Sequence, residues 1–231
     1  MLTLEDVTVI QDDFRLSADF SVPTGARVGI LGPSGAGKST LLAVIAGFIQ
    51  PDTGRILWQG SDLTSIPPGK RPLSILFQDQ NLFPHLSVAD NAGLGLNPSL
   101  RLSVGDRDRV HAALSRVGLE GFGSRKPGTL SGGQQTRVAL ARALLQERPL
   151  MLLDEPFAAL GPALKGEMLD LVAELVGETG ATVLMVSHDP ADARRFADQT
   201  VFIADGRAHP PQPTARLLDN PPPQLAAYLG H

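Results

Sequence analysis

Gly32-Pro33-Ser34-Gly35-Ala36-Gly37-Lys38-Ser39-Thr40 decides how the rest of this chain is read. Val28 to Leu31 before it form an apolar run of buried-strand character, and Leu41-Leu42-Ala43-Val44-Ile45-Ala46 after it reads as a helix. In that setting the pattern G-x-x-x-x-G-K-[ST] is a phosphate-binding loop. Glycines at 32, 35 and 37 let the backbone curl with its N–H groups inward, where they hold phosphate oxygens. The helix beginning near Lys38 adds the positive end of its dipole. Lys38 is placed to reach the β- and γ-phosphates, and the Ser39 hydroxyl to ligate Mg²⁺. The expectation is a chain that binds a nucleoside triphosphate.

Composition narrows the field. The 231 residues allow one large domain with room for a smaller lobe. A formal net charge of −4 leaves no basic excess for a phosphate backbone, so no nucleic-acid partner is expected. The absence of cysteine excludes disulfides, thiol catalysis and zinc-thiolate sites, and suits a reducing compartment. Met1-Leu2-Thr3-Leu4-Glu5-Asp6 carries no signal-peptide pattern. The longest apolar run, Leu41 to Ile49, falls short of the ~20 residues of a membrane span. A soluble chain that meets a membrane only through a partner is expected.

Leu2 to Ile10 and Phe14 to Val22 read as strands paired around a turn at Asp12-Asp13. Pro51-Asp52-Thr53-Gly54 turns into a short strand from Arg55 to Gln59, and Pro67 to Pro72 reads as a rigid exposed loop. Leu73 to Phe77 is a second buried strand, ending at Gln78. From Ser87 to Leu145 the signals are helical, with a capping box at Ser103 and Asp106 ahead of Val110, Ala113, Leu114 and Val117. Leu130-Ser131-Gly132-Gly133-Gln134 opens a further helix. The strand Leu150 to Leu153 ends in Asp154-Glu155, a helix runs from Pro162 to Val176, and the strand Thr182 to Val186 ends at Ser187-His188. A short helix to Phe196 and a hairpin around Asp205-Gly206 follow, and the proline-rich tail reads as extended with at most short helices. The fold class is therefore α/β. A mainly parallel phosphate-loop core (residues 1–86 and 146–208) carries an N-terminal antiparallel β subdomain, an inserted helical subdomain (87–145) and a tail (209–231).

In such a sheet the ligand lies beyond the carboxyl ends of the strands, where four polar clusters converge: the phosphate loop, Gln78, Asp154-Glu155 and His188. Asp154 offers Mg²⁺ a hard oxygen, and Glu155 can polarise the water that attacks the γ-phosphate. His188 can touch the γ-phosphate, or, taken alone, be a cap or surface residue. Gln78 can touch the metal or the attacking water. Ser131, Gly132, Gly133 and Gln134 offer a hydroxyl, unobstructed backbone N–H groups and a helix N-terminus: a second anion-binding surface, or an ordinary serine cap. With one phosphate loop already present, this surface suits a nucleotide held by another copy.

Taken in that order, these motifs resemble the nucleotide-binding subunit of ATP-binding cassette transporters over almost the whole chain. The resemblance implies ATP and Mg²⁺ as cofactors, with Gly32 to Thr40 as the ATP-binding segment and Ser39, Gln78 and Asp154 toward the metal. It also implies Glu155 as the catalytic carboxylate, assisted by His188 and Gln78. Two subunits would pair as a homodimer, Leu130 to Gln134 of each closing on the other's ATP. The partners implied are an integral membrane permease and, through it, a periplasmic or extracellular binding protein, at the cytoplasmic face of a bacterial inner membrane. Pro67 to Pro72, Leu76 to Phe83, Gly93 to Pro98 and Asp154-Glu155-Pro156-Phe157 look like the ATPase subunits of thiamine importers. A metal ion, polyamine or sugar is the alternative cargo. A soluble cassette ATPase would show tandem cassettes, a long coiled coil or a basic face, and a phosphate-loop kinase has no need of L-S-G-G-Q. Three positions depart from the family pattern: Gln11 for an aromatic that stacks on adenine, Gly161 for an aspartate facing the partner's nucleotide, and Thr136 for a glutamine.

Overall fold

The strand that feeds the phosphate loop lies in the middle of the sheet, between two strands from the far end of the chain. The computed structural model describes residues 1–230; His231, the last residue of the tail, lies outside them. β3 (Arg27–Leu31) pairs in parallel with β8 (Thr182–Val186) on one side and β9 (Gln199–Ala204) on the other. β7 (Leu150–Asp154) and β6 (Leu73–Leu76) extend the parallel part. Beyond β9, the short β10 (Arg207–Ala208) bridges to β2 (Phe14–Val22). From there β1 (Leu2–Gln11), β4 (Thr53–Trp58) and β5 (Ser61–Asp62) continue antiparallel.

The central strands are buried on both faces, which is why they read as continuous apolar runs. Leu150, Leu152, Leu184 and Val186 face the core around α1 (Lys38–Ala46). Met151, Leu153, Val183 and Met185 face the core formed with α4 (Gly132–Leu145) and α5 (Pro162–Thr179). α1 is apolar all round because its core also takes in Leu2, Leu4, Val9 and Leu16 of the antiparallel strands. Between β6 and β7 lie α2 (Val88–Gly93), α3 (Val104–Arg116) and α4. Ser87, Ser103 and Ser131 start these three helices, each with a reciprocal capping box. No helix among the described residues is long and apolar enough to cross a membrane.

Two expectations are corrected. Pro67 to Pro72 is not simply an exposed loop: Pro68–Lys70 form a 3-10 turn that swings Arg71 inward, leaving it 1 % exposed. Its guanidinium donates to the carbonyls of Val44 and Ile45 in the last turn of α1, and to those of Thr64 and Ile66. The tail does carry short helices, as its reading allowed, but it packs onto the sheet rather than running extended. β11 (Gln212–Pro213) pairs with β9, and α7 (Thr214–Asp219) and α8 (Pro223–Leu229) follow it. The reason lies in β9, whose Val201 and Ile203 serve the α1 core while Phe202 and Ala204 face the other way. That second face is covered by Leu217, Leu218 and Leu225 of the tail.

Candidate functional site

The phosphate loop owes its shape to close approaches that only glycine permits. A Cβ on Gly32 would lie 2.3 Å from the Ile203 carbonyl oxygen of the neighbouring strand. Gly37, the residue before α1, has φ +103°, and a Cβ there would meet the Phe14 ring at 2.7 Å. Phe14 thus supports the loop from below. Lys38 folds back over the loop and donates to the carbonyls of Gly32 and Pro33 at 2.8 and 2.9 Å. Burial pulls its pKa down, partly offset by the charges of Glu155 and Asp154.

Ser39, in the first turn of α1, donates its hydroxyl to Asp154 Oδ1 at 3.0 Å. Burial raises the Asp154 pKa against that hydrogen bond, and the neighbouring Glu155 charge raises it further. Glu155 itself sits in the left-handed region, at φ +45°. This conformation is uncommon for a residue that carries a Cβ. It brings Oε2 to 3.3 Å from Nδ1 of His188, at the end of the adjacent strand β8. Gln11, Phe14, Lys38, Ser39, Thr40 and Glu155 line a cleft of about 320 Å³ with Ser34, Gly35 and Gly37.

The other predicted residues lie apart from this cleft. Gln78 leaves β6 at the same end of the sheet, since Leu76 is paired with Leu153, but its side chain makes no hydrogen bond among the described residues. The loop it begins is fastened further on. Arg142 donates to the carbonyls of Gln80 and Asn81 at 2.6 and 2.8 Å, and Gln80 donates to Thr136 at 3.3 Å. Thr136 thereby ties this loop to α4, which gives its presence a physical account. Ser131 and Gln134 exchange the capping bonds of α4, Ser131 Oγ accepting from the Gln134 N–H. A Cβ on Gly133 would run into Leu164 at 2.5 Å, whereas one on Gly132 would meet nothing within 4 Å. Packing inside the chain therefore accounts for Gly133 and not for Gly132.

The family described as ABC transporter matches residues 16–158. The chain belongs to the ABC transporter family. Among the relatives of this ABC chain is the thiamine import ATP-binding protein ThiQ of Cereibacter sphaeroides, 64 % identical over 230 residues and covering 100 % of both chains. The protein of the same name from Escherichia coli O157:H7 is 51 % identical, over 90 % of this chain and 89 % of its own. The dimeric, post-hydrolysis structure of the ATP-binding cassette MJ0796 bound to ADP and Pi superimposes with a TM-score of 0.80. It is 31 % identical and covers 93 % of this chain and 99 % of its own. The mixed sheet with flanking helices is thus the fold of an ABC ATPase.

Two features of this ABC site escape a reading by motif. Lys165 of α5 holds the turn around His188, with Nζ 2.7 Å from Asp189 Oδ2 and 2.8 Å from Asp192 Oδ1. Its hydrogen bond keeps the Asp189 pKa below the usual range, and Ser187 donates to Asp192 at 2.6 Å. A lysine on an amphipathic helix reads as solvated, so only the fold reveals the clamp. The second is α6 (Pro190–Phe196), whose cap Asp189 accepts from the Ala191 N–H and so fixes the chain just after His188.

Gly161 precedes α5 with φ −65° and ψ 156°, ordinary values for any residue before proline, and a Cβ there meets open space. Gly161→Asp is therefore expected to stabilise the fold by about 1 kcal/mol, through a cap, the helix dipole and a less flexible unfolded chain. The unfolding midpoint should rise by roughly 2–4 °C. A lowered midpoint would show that the α5 cap is read wrongly.

Proposed function

We propose that this chain is the ATP-hydrolysing subunit of a bacterial importer that takes up thiamine through a membrane permease. One observation carries the hydrolytic reading. Lys38, the Ser39–Asp154 pair and the Glu155–His188 pair meet at the carboxyl ends of adjacent parallel strands. The γ-phosphate of ATP lies against Lys38 and His188, and Glu155 takes a proton from the attacking water.

The donor set fits Mg²⁺. A hydroxyl and a carboxylate adjoin, and the Asp154 charge, disfavoured by burial and by Glu155, calls for a nearby cation. Ser39 and Asp154 would hold the ion, which supplies charge neutralisation to the phosphates. Gln78 reaches the same end of the sheet and is assigned to the attacking water or the metal.

Ser131, Gly132, Gly133 and Gln134 serve the nucleotide of a second copy in a head-to-tail homodimer. They do not line their own chain's cleft, and the space beside Gly132 is left open. The same pairing fits the dimeric state of the MJ0796 structure. The permease docks on the cytoplasmic side of the inner membrane, and a binding protein outside delivers the cargo. Thiamine as cargo rests on the names of relatives that match from end to end.

Transport by the reconstituted complex, measured with labelled thiamine and competitors, tests the cargo. Uptake that depends on ATP and is blocked by unlabelled thiamine supports it; transport of a metal ion, polyamine or sugar instead would replace it. The nucleobase offers a separate test. Gln11 stands opposite Phe14 at the rim of the cleft, where Phe14 is occupied under Gly37. Gln11→Tyr is expected to tighten ATP binding by about tenfold through base stacking. Unchanged affinity would mean that the base does not pass residue 11.

A further inference from the structure

The helix at the end of the chain bonds to the His188 loop and faces the phosphate loop across a cleft. Tyr228 of α8 donates its hydroxyl to the backbone carbonyl of His188 at 2.6 Å. Gln224, one turn earlier, donates to Asp205 at 2.5 Å, and with Ala227 it lines a cleft along Pro33 to Ala36. Leu225 is fully buried in a cluster with Leu31, the last residue before the phosphate loop, and Ala193 of the helix after His188. The Tyr228 ring rests near Phe202, 6.4 Å between centroids.

The His188 side chain is 58 % exposed, and among the described residues its bonding partner is Glu155 at 3.3 Å. Packing does not fix such an imidazole, so its place is set by the backbone from which it hangs. We propose that α8 is a working part of the ATPase site, with Tyr228 as a positioning residue for His188. The tail thereby locks the peptide unit of His188 at the end of the sheet that also carries the phosphate loop. Burial raises the Tyr228 pKa, and the charges of Asp189 and Glu155 raise it further, so the hydroxyl stays protonated and remains a donor.

This inference rests on His188 contacting the γ-phosphate, so the test runs two variants of the full chain side by side. Tyr228→Phe keeps the ring and removes only the hydroxyl. It is expected to lower kcat for ATP about tenfold, the scale of one well-placed hydrogen bond, with KM for ATP within about twofold and the unfolding midpoint lowered by no more than the ~2–4 °C that one hydrogen bond is worth. His188→Ala, measured in parallel, is expected to lower kcat further. Tyr228→Phe with parental kcat beside a slowed His188→Ala overturns the role of the tail alone. A loss of rate in Tyr228→Phe that comes with the unfolding midpoint lowered by well over ~4 °C makes Tyr228 a packing residue and overturns it too. His188→Ala with parental kcat removes the underlying reading of His188, and the inference falls with it.

Discussion

Glu155→Gln is expected to lower ATP turnover by roughly 10²–10⁴-fold while leaving ATP affinity within about twofold. The substitution keeps the size and planarity of the side chain, and an amide can still meet His188 across the 3.3 Å gap. What it removes is the lone pair able to accept a proton from water. Lys38, Ser39 and the loop glycines, to which binding is assigned, are untouched. Phosphate release measured beside equilibrium ATP binding separates the two effects. Turnover near the parental rate would move the proton acceptor away from Glu155 and leave its left-handed backbone, φ +45°, without a catalytic reason. Loss of binding in step with turnover would instead make Glu155 a structural support of the cleft.

Arg71→Met carries the largest expected cost in stability, about 3–5 kcal/mol. Arg71 is a buried cation whose hydrogen-bond partners are backbone carbonyls: Ile45 at 2.7 Å, Ile66 at 2.8 Å, Val44 at 2.9 Å and Thr64 at 3.0 Å. Two of these close the negative end of the α1 dipole, so the charge is offset by oriented peptide groups. Burial lowers the Arg71 pKa, with the charge of Asp62 opposing. A methionine fills much of the volume and leaves those carbonyls facing apolar surroundings. The fit is tight, since a Cβ on Gly47 would lie 2.5 Å from Arg71 Nε. Arg71→Lys should recover only part of the loss, because one ammonium cannot span four carbonyls on two segments. Chemical denaturation gives the numbers, and a cost below about 1 kcal/mol for Arg71→Met would show that water or a shifted backbone satisfies the carbonyls.

The contrast between these two positions shows what a sequence discloses. Glu155 was legible because its neighbours in the chain, an apolar strand and an acidic pair, mark the strand end locally, as do Lys38 and His188 at theirs. Strand identities followed from apolar runs bounded by Gly and Pro turns, and the starts of α3 and α4 from serine caps. Arg71 was hidden because its partners lie in α1 and in the segment 64–66, and a basic residue among prolines reads as surface. The tail was hidden in the same way. Its prolines are local, whereas the reason for its helices is the uncovered face of Phe202 and Ala204. Tyr228 and Lys165 act through His188 and its flanking carboxylates, so neither belongs to a contiguous pattern. Gln78 was legible as a strand-end residue, and the bonds of Arg142 and Thr136 to its loop were not.

The position of β3 has a consequence during synthesis. Its two hydrogen-bonding neighbours, β8 and β9, are translated more than 150 residues after it. The strand that feeds the phosphate loop therefore stays without its pairing strands on the ribosome, with Val28, Ile30 and Leu31 uncovered on that side, until residue 182 and beyond have been made. A nascent fragment ending before residue 182 should fail to retain ATP on an affinity matrix, and prematurely terminated products would be cleared as unfolded protein without occupying a permease.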